Sequence, residues 1–312
     1  MAGKVKVQPV SSAGLAPLVE MAEQLRIALP GWSDAQRSVP RPRFDSDLAH
    51  DLGHLARHDG DGFLIASLGD EVVGFAAGHV RSRHLLLPQV WLLPEHVGEP
   101  VAETLVRRAV AFGERSGAQD AAALVLGGAE HQLQLLRFGL RPRFPVYRLV
   151  LPAESARRLG IDLASAMPGR EVSGDPAGRR AAGGADLERL DRLVRGVSRP
   201  MDHEYWLAER GLRLALVREK QRISAYAYGG PGQCGPVVAS TGEAALAALG
   251  WALQLAAASA DLLVDLLVPA PFEAAIEHLL DAGARGRAVG QWMTRQPPLA
   301  ADRWIPGGAT LL

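Results

Sequence analysis

The order of apolar runs along this 312-residue chain repeats once, and that repeat constrains the fold more than any single motif. In the first half, Phe63-Leu-Ile-Ala-Ser and Glu71-Val-Val-Gly-Phe-Ala-Ala-Gly-His-Val read as two β-runs joined by a Leu-Gly-Asp turn, which predicts a hairpin. A third strand at Gln89–Pro94 leads to a helix spanning roughly 99–116, in which Val101, Leu105, Ala109 and Phe112 recur at helical spacing until Gly117 stops it. Ala122–Gly127 then reads as a buried strand, His131–Phe138 as a short helix ended by Gly139, and Arg143–Leu151 as a last strand. The second half gives the same order: strands at Leu212–Val217, Arg222–Tyr228 and near Val237, a helix at Glu243–Ala258, a strand at Leu262–Val268, a helix at Phe272–Leu280 and a strand at Gly290–Arg295. Helices at Leu15–Arg26 and Ala185–Val197 open the two copies. The expected fold class is therefore α/β of the α+β kind. It comprises two tandem domains, 1–151 and 185–312, each a mixed, mostly antiparallel sheet flanked by helices. The segment 152–184, rich in Ala, Gly, Arg and Pro, reads as a mobile linker.

Composition excludes several function classes. Lys plus Arg (34) equals Asp plus Glu (34), so no overall field favours nucleic acid or an anionic membrane. The apolar run Leu262–Pro269 is interrupted by Asp265 and is far shorter than the ~20 residues a membrane span needs. Lys4 and Lys6 are followed by Val-Gln-Pro rather than an apolar core, which points to a cytoplasmic protein. The lone Cys234, in Gly-Gln-Cys-Gly-Pro, reads as a small residue in a strand.

The first copy has a three-stranded antiparallel entry, a strand that leads through Pro94-x-x-x-Gly98-x-x-x-Ala102 into a helix, and then a strand, a helix, Gly139 and a strand. In this it resembles the GNAT acetyltransferase superfamily. The second copy is similar to the C-terminal domain of tandem bacterial proteins of that type through Ala225-Tyr-Ala-Tyr, Cys234-Gly-Pro-Val-Val, Leu266-Leu-Val-Pro and Asp302-Arg-Trp-Ile-Pro-Gly-Gly. The resemblance implies an N-acetyltransferase that takes acetyl-CoA as acyl donor and passes the acetyl group to the amine of a small-molecule or peptide acceptor. It implies donor contacts from Leu92, Leu93, Val97, Gly98, Glu99, Val101 and Ala102, where Val97-Gly-Glu-Pro-Val-Ala102 stands in place of the family's Gln/Arg-x-x-Gly-x-Gly/Ala loop. That loop presents backbone N–H groups at a helix N-terminus to phosphates. Here it is degenerate: Pro100 replaces a glycine and has no N–H, and Glu99 adds a negative charge. Leu135 stands where similar enzymes carry a tyrosine as general acid. These departures keep open an alternative, a non-catalytic GNAT-like protein with a binding or regulatory role. The second copy has no such loop; Ser240-Thr-Gly-Glu243 reads as a capping box.

Three further groups carry chemistry. Glu95 or His96, at the end of the third strand, could deprotonate an acceptor amine. Arg199-Pro-Met-Asp-His-Glu-Tyr-Trp206 has two readings. In one, Arg199, Asp202, Tyr205 and Trp206 hold a polar acceptor with His203 as base; in the other, Asp202 caps a helix and the two aromatics are buried. His50, His54 and His58 recur every four residues beside Asp47 and Asp51, and are read as a solvated polar face rather than a metal site.

Overall fold

A computed structural model describes residues 5–10, 15–16, 18–21, 44–96, 100–126, 129–167, 169–172, 184–220, 222–257, 263–298, 300–308 and 310–311. Two compact units emerge, and they do not follow the order of the chain. Met1–Arg143 with Gly290–Pro297 and Leu312 form unit 1; Phe144–Val289 with Pro298–Leu311 form unit 2. No helix among the described residues is long and apolar enough to cross a membrane.

Unit 1 contains β1 (Val5–Pro9), α1 (Phe44–His58), β2 (Phe63–Leu68), β3 (Glu71–Arg81), β4 (His84–Leu92), α2 (Pro100–Arg115), β5 (Asp120–Val125) and α3 (Ala129–Arg137). Neighbouring strands pair antiparallel from β1 to β4, and β4 pairs parallel with β5. Its amphipathic helix α2 lays Val101, Ala102, Leu105, Val106 and Ala109 onto Leu64, Val73, Ala76, Leu85 and Leu87 of the sheet. Unit 2 contains most of β6 (Arg141–Pro152), followed by α4 (Ala153–Ser165), β7 (Gly169–Val172), α5 (Gly184–Arg195), α6 (Pro200–Ala208), β8 (Arg213–Glu219), β9 (Arg222–Gly230), β10 (Gln233–Ala239), α7 (Gly242–Ala256), β11 (Leu263–Pro269) and α8 (Glu273–Asp281). Strands β7 to β10 pair antiparallel in order, and β10 meets β11 in parallel.

Each sheet is completed by a strand from the other half of the sequence. The last long strand, β12 (Arg285–Thr294), pairs antiparallel with β5 through Gln291↔Val125 to Thr294↔Ala122, and places Met293 in the unit 1 core. In unit 2, β6 pairs with β11 over seven consecutive residues, from Leu263↔Pro152 to Pro269↔Val146. The expected boundaries at 151 and 185 shift accordingly, because backbone ladders bind these strands to the sheet of the opposite half.

The segment read as a linker holds a helix and a strand among its described residues. Ala153, Ala156 and Leu163 of α4 belong to the unit 2 core, and Gly160 lies in backbone contact with α7. A Cβ on Gly160 would sit 2.7 Å from the carbonyl oxygen of Gly250, and one on Gly250 would sit 2.6 Å from the Ala164 nitrogen. The small residues that resemble a flexible connection are what let the two helices touch.

Two smaller expectations also change. The start of α7 is capped by Thr241, whose hydroxyl accepts from the Ala244 N–H at 3.2 Å, while the Ser240 hydroxyl donates to the Ser224 carbonyl. The cap is thus one residue later than Ser240, because that hydroxyl is already bound to β9. In α1, His50 and His58 are exposed, but Asp51 and His54 are buried with Leu48, Leu52 and Leu55, so the histidine row is not one solvated face.

Gly250→Ala should therefore destabilise the protein by about 1–3 kcal/mol through overpacking. Gly53→Ala, in the interior of α1 with nothing within 4 Å of the added carbon, should be neutral or stabilising by about 0.5–1 kcal/mol. Urea denaturation of the two variants beside the parent measures both.

Candidate functional site

The chemistry-bearing feature of unit 1 is a gap between parallel strands. β4 and β5 pair only through His84↔Asp120, Leu85↔Ala121, Leu86↔Ala122 and Leu87↔Ala123, yet β4 continues to Leu92 and β5 to Val125. Among the described residues no other strand pairs with that edge of β4. The ladder stops at a bulge. Against β3, Ala77 pairs with Gln89 and His79 with Leu86, so Leu87 and Pro88 oppose the single residue Gly78. Pro88 brings no amide hydrogen to either neighbour, which suits a bulge and cannot extend a ladder. Beyond this point β4 pairs with β3 alone among the described residues.

Past the gap lie Leu93, the turn Pro94–His96 and the N-terminus of α2. The first four N–H positions of a helix have no partner within it, and Pro100 has none to offer. Val101 and Ala102 are buried, and their side chains belong to the unit 1 core. Leu92 is buried too, and the Leu93 N–H donates to the Val73 carbonyl at 3.0 Å. Glu95 is exposed and His96 half-buried at the mouth of the gap. Val97, Gly98 and Glu99 lie outside the described residues. Leu135 is buried in the unit 1 core and has no proton to give.

Unit 2 has the same bulge in β10. Cys234 pairs with Gly229 and Val237 with Ala227, so Gly235 and Pro236 oppose Tyr228 alone. Its parallel ladder is one pair, Gln233↔Asp265, after which β10 and β11 part. The gap is occupied by β13 (Trp304–Ile305), which pairs antiparallel with β10 through Val237↔Ile305 and Val238↔Trp304 and also contacts β11. Pro88, just before the strand expected at Gln89–Pro94, and Pro236, beside the one expected near Val237, were the available sequence signals for the two gaps.

The residues around Arg199 are brought together, but inside unit 2. Arg199, Asp202, His203, Tyr205 and Trp206 are each 2% exposed or less, and present no surface to an acceptor. Arg199, not Asp202, is the N-cap of α6, and it makes no side-chain cap bond. The partners of this group come from two other elements. Asp191 of α5 accepts from the Arg199 Nε at 3.2 Å, from the Tyr226 hydroxyl at 2.6 Å and from the His203 Nε2 at 2.9 Å. A carboxylate only accepts, so that ring nitrogen carries the hydrogen. The other nitrogen, Nδ1, is 2.9 Å from the Tyr228 hydroxyl. Arg199 also donates to the Tyr226 hydroxyl at 2.9 Å, and its guanidinium lies 4.7 Å from the Trp206 ring centre.

Burial alone pushes the Asp191 carboxyl up, but the Arg199 charge and the His203 hydrogen bond outweigh it and hold the group well below the usual carboxylate range. Burial, opposed by Arg199 and reinforced by Asp191, pushes the Tyr226 hydroxyl well up. Burial and the nearby Arg199 charge bring Arg195 down to about 10. Burial pushes the Cys234 thiol up, away from any nucleophilic role. The sequence signal for Asp191 was a lone acid on the apolar stripe Leu187, Leu190, Val194 of α5.

Residues 26–139 match the family described as acetyltransferase (GNAT). Among solved structures, an acetyltransferase-type protein of Pyrococcus horikoshii is 15% identical over 99% of this chain and 96% of its own, with a TM-score of 0.74. A GCN5-related N-acetyltransferase of Sphaerobacter thermophilus is 16% identical over 95% of this chain and 97% of its own, at 0.58. A tandem GNAT protein from the clavulanic acid biosynthesis pathway is 14% identical over 94% and 99%, at 0.51. A search of the curated proteins finds no match.

Asp191→Asn should cost about 3–5 kcal/mol, because it leaves Arg199 buried without its counter-charge. The folded-state pKa lies below the unfolded one, so the stabilisation is complete above about pH 4 and is lost as the pH falls below it. Urea midpoints of parent and variant should therefore differ most near pH 7 and converge toward pH 3. Residues 26–139 thus match the acetyltransferase (GNAT) family, and the chain as a whole is similar in fold to tandem GNAT proteins.

Proposed function

We propose that the protein is an N-acetyltransferase that takes acetyl-CoA in unit 1 and acetylates the amine of a small-molecule or peptide acceptor. The observation that carries this reading is the parting of β4 and β5 after Leu87, directly before the start of α2. The edge of Pro88–Leu92 turned away from β3, unpaired among the described residues, suits the amide-bearing arm of coenzyme A, and the backbone at Val101 and Ala102 suits its phosphates. Acetyl-CoA supplies an activated acyl carbon. The chain supplies position: it holds the donor between two strands, excludes water with the buried Leu92 and Leu87, and brings the amine to the mouth of the gap. Glu95, exposed, and His96, half-buried, are the groups on that rim able to take the proton from the amine. The reading carries with it a cytoplasmic site of action, where the single thiol of Cys234 needs no partner.

The second reading, a GNAT protein that binds without catalysis, is favoured by two particulars. Pro100 offers no N–H where the loop would meet phosphate, and the apolar Leu135 stands at the place of a proton donor. Both leave the strand gap intact, so binding separates a competent donor site from a closed one.

Calorimetric titration with acetyl-CoA should show saturable binding. Pro100→Gly with Glu99→Arg should tighten it by about 1.5–3 kcal/mol, roughly tenfold to a hundredfold, by restoring one charge-assisted hydrogen bond. The comparison is made at one ionic strength, since the charge term is screened. No binding before or after the substitutions contradicts the donor site. Binding without acetylation across a panel of amines moves the protein to the second reading.

A further inference from the structure

The gap in unit 2 already holds an extended chain. We propose that the segment Arg303–Gly307 is a resident self-ligand that lies where a donor's amide-bearing arm would lie, so that unit 2 keeps a latent donor slot closed by the protein's own chain. This rests on the reading of the unit 1 gap as the donor site.

Four observations point to a fitted occupant rather than a passing loop. First, the segment uses the backbone of β10 that the bulge sets free: the Ala239 N–H donates to the Arg303 carbonyl at 3.1 Å, and Val237 and Val238 pair with Ile305 and Trp304. Second, side chains anchor both ends. Arg303 Nη1 donates to the Ser240 carbonyl at 2.6 Å, just before α7 begins, and the Gln233 Nε2 donates to the Gly307 carbonyl at 2.8 Å. Third, Trp304 and Ile305 are buried at 3% and 0%, and the Arg195 guanidinium covers the Trp304 ring at 5.2 Å. Fourth, the wall is cut to the segment. Gly235 has φ +117°, which side-chain-bearing residues rarely adopt, and a Cβ there would lie 2.7 Å from the Pro306 carbonyl oxygen. A Cβ on Gly307 would lie 3.2 Å from the Trp206 ring, so the segment also seals the buried cluster around His203.

The geometry matches a donor arm in kind. A pantetheine chain is extended and carries amide donors and acceptors at intervals, as a strand does, and it enters such gaps by the same backbone hydrogen bonds. Among the described residues, no strand pairs with Pro88–Leu92 on the equivalent edge of β4 in unit 1; unit 2 has spent that edge on its own chain. The Thr241 hydroxyl, bound to the Ala244 N–H, takes one of the helix-start donors, so a donor entering the emptied slot would be held more weakly than in unit 1.

The test compares the full chain with one ending at Ala301, titrating each with acetyl-CoA and with a peptide of residues 302–312. The full chain is expected to saturate at one equivalent of acetyl-CoA and to ignore the peptide. The shortened chain should bind the peptide one to one and saturate at two equivalents of acetyl-CoA. Its second equivalent should be at least about tenfold weaker and abolished by the peptide. Equal acetyl-CoA stoichiometry in a shortened chain that retains its circular dichroism, or no affinity for the peptide, overturns the proposal. Zero equivalents on the full chain and one on the shortened chain would sink the unit 1 reading while sustaining this one. If the shortened chain does not fold, full-length Trp304→Ala replaces it: a second, weaker equivalent at millimolar acetyl-CoA sustains the proposal, and its absence overturns it.

Discussion

The prolines in β4 and β10 cannot donate a backbone hydrogen bond, and the architecture of both candidate gaps depends on that single chemical lack. At Pro88 and at Pro236 the strand bulges against its antiparallel neighbour, and its parallel neighbour pairs only before the bulge. Buried peptide groups must find partners, because an unmade hydrogen bond costs about 1–3 kcal/mol. The two units meet that demand differently. Unit 2 supplies Arg303–Gly307 from its own chain, whereas the described part of unit 1 supplies nothing to the same edge of β4.

The sheets on which these gaps are built are finished by exchange. β12 brings Met293 into the core of unit 1, and β6 brings Leu149 and Leu151 into that of unit 2. Each parallel partner strand, β5 or β11, is thereby held on its far edge by a long antiparallel ladder. That support lets it diverge from the bulged strand without fraying. In unit 2 the opposite face of the sheet is fixed by the Asp191 cluster, where one carboxylate binds α6 and β9 to α5 through Arg199, His203 and Tyr226. Polar groups sealed at this depth hold one arrangement only when every member is satisfied.

Much of this was legible in the residues, and the failures have physical causes. The repeated strand and helix order, the fold class and the helix at Pro100–Arg115 follow from apolar periodicity, which is local. Strand exchange is not local: nothing in Arg143–Leu151 states which sheet it joins, since its alternation suits either. The stretch Ala153–Ser165 reads as a linker because Ala and Gly are also the residues that close helix contact demands, and only its partner Gly250 tells the two apart. The crowded Arg199–Trp206 segment reads equally as an acceptor site or a buried helix. What decides is Asp191, eight residues upstream of Arg199, with Tyr226 and Tyr228 on β9, whose side of the sheet a period of two gives only once the strand is placed.

An open donor gap in unit 1 and a closed one in unit 2 would respond differently to acetyl-CoA, and hydrogen exchange of the intact chain with and without a saturating amount of it separates them. Exchange should slow along Gln89–Leu92 and at the first turn of α2, with Val237–Ala239 slow in both states and unchanged. Protection gained at Val237–Ala239, or none at Gln89–Leu92 when acetyl-CoA is bound, would contradict that difference.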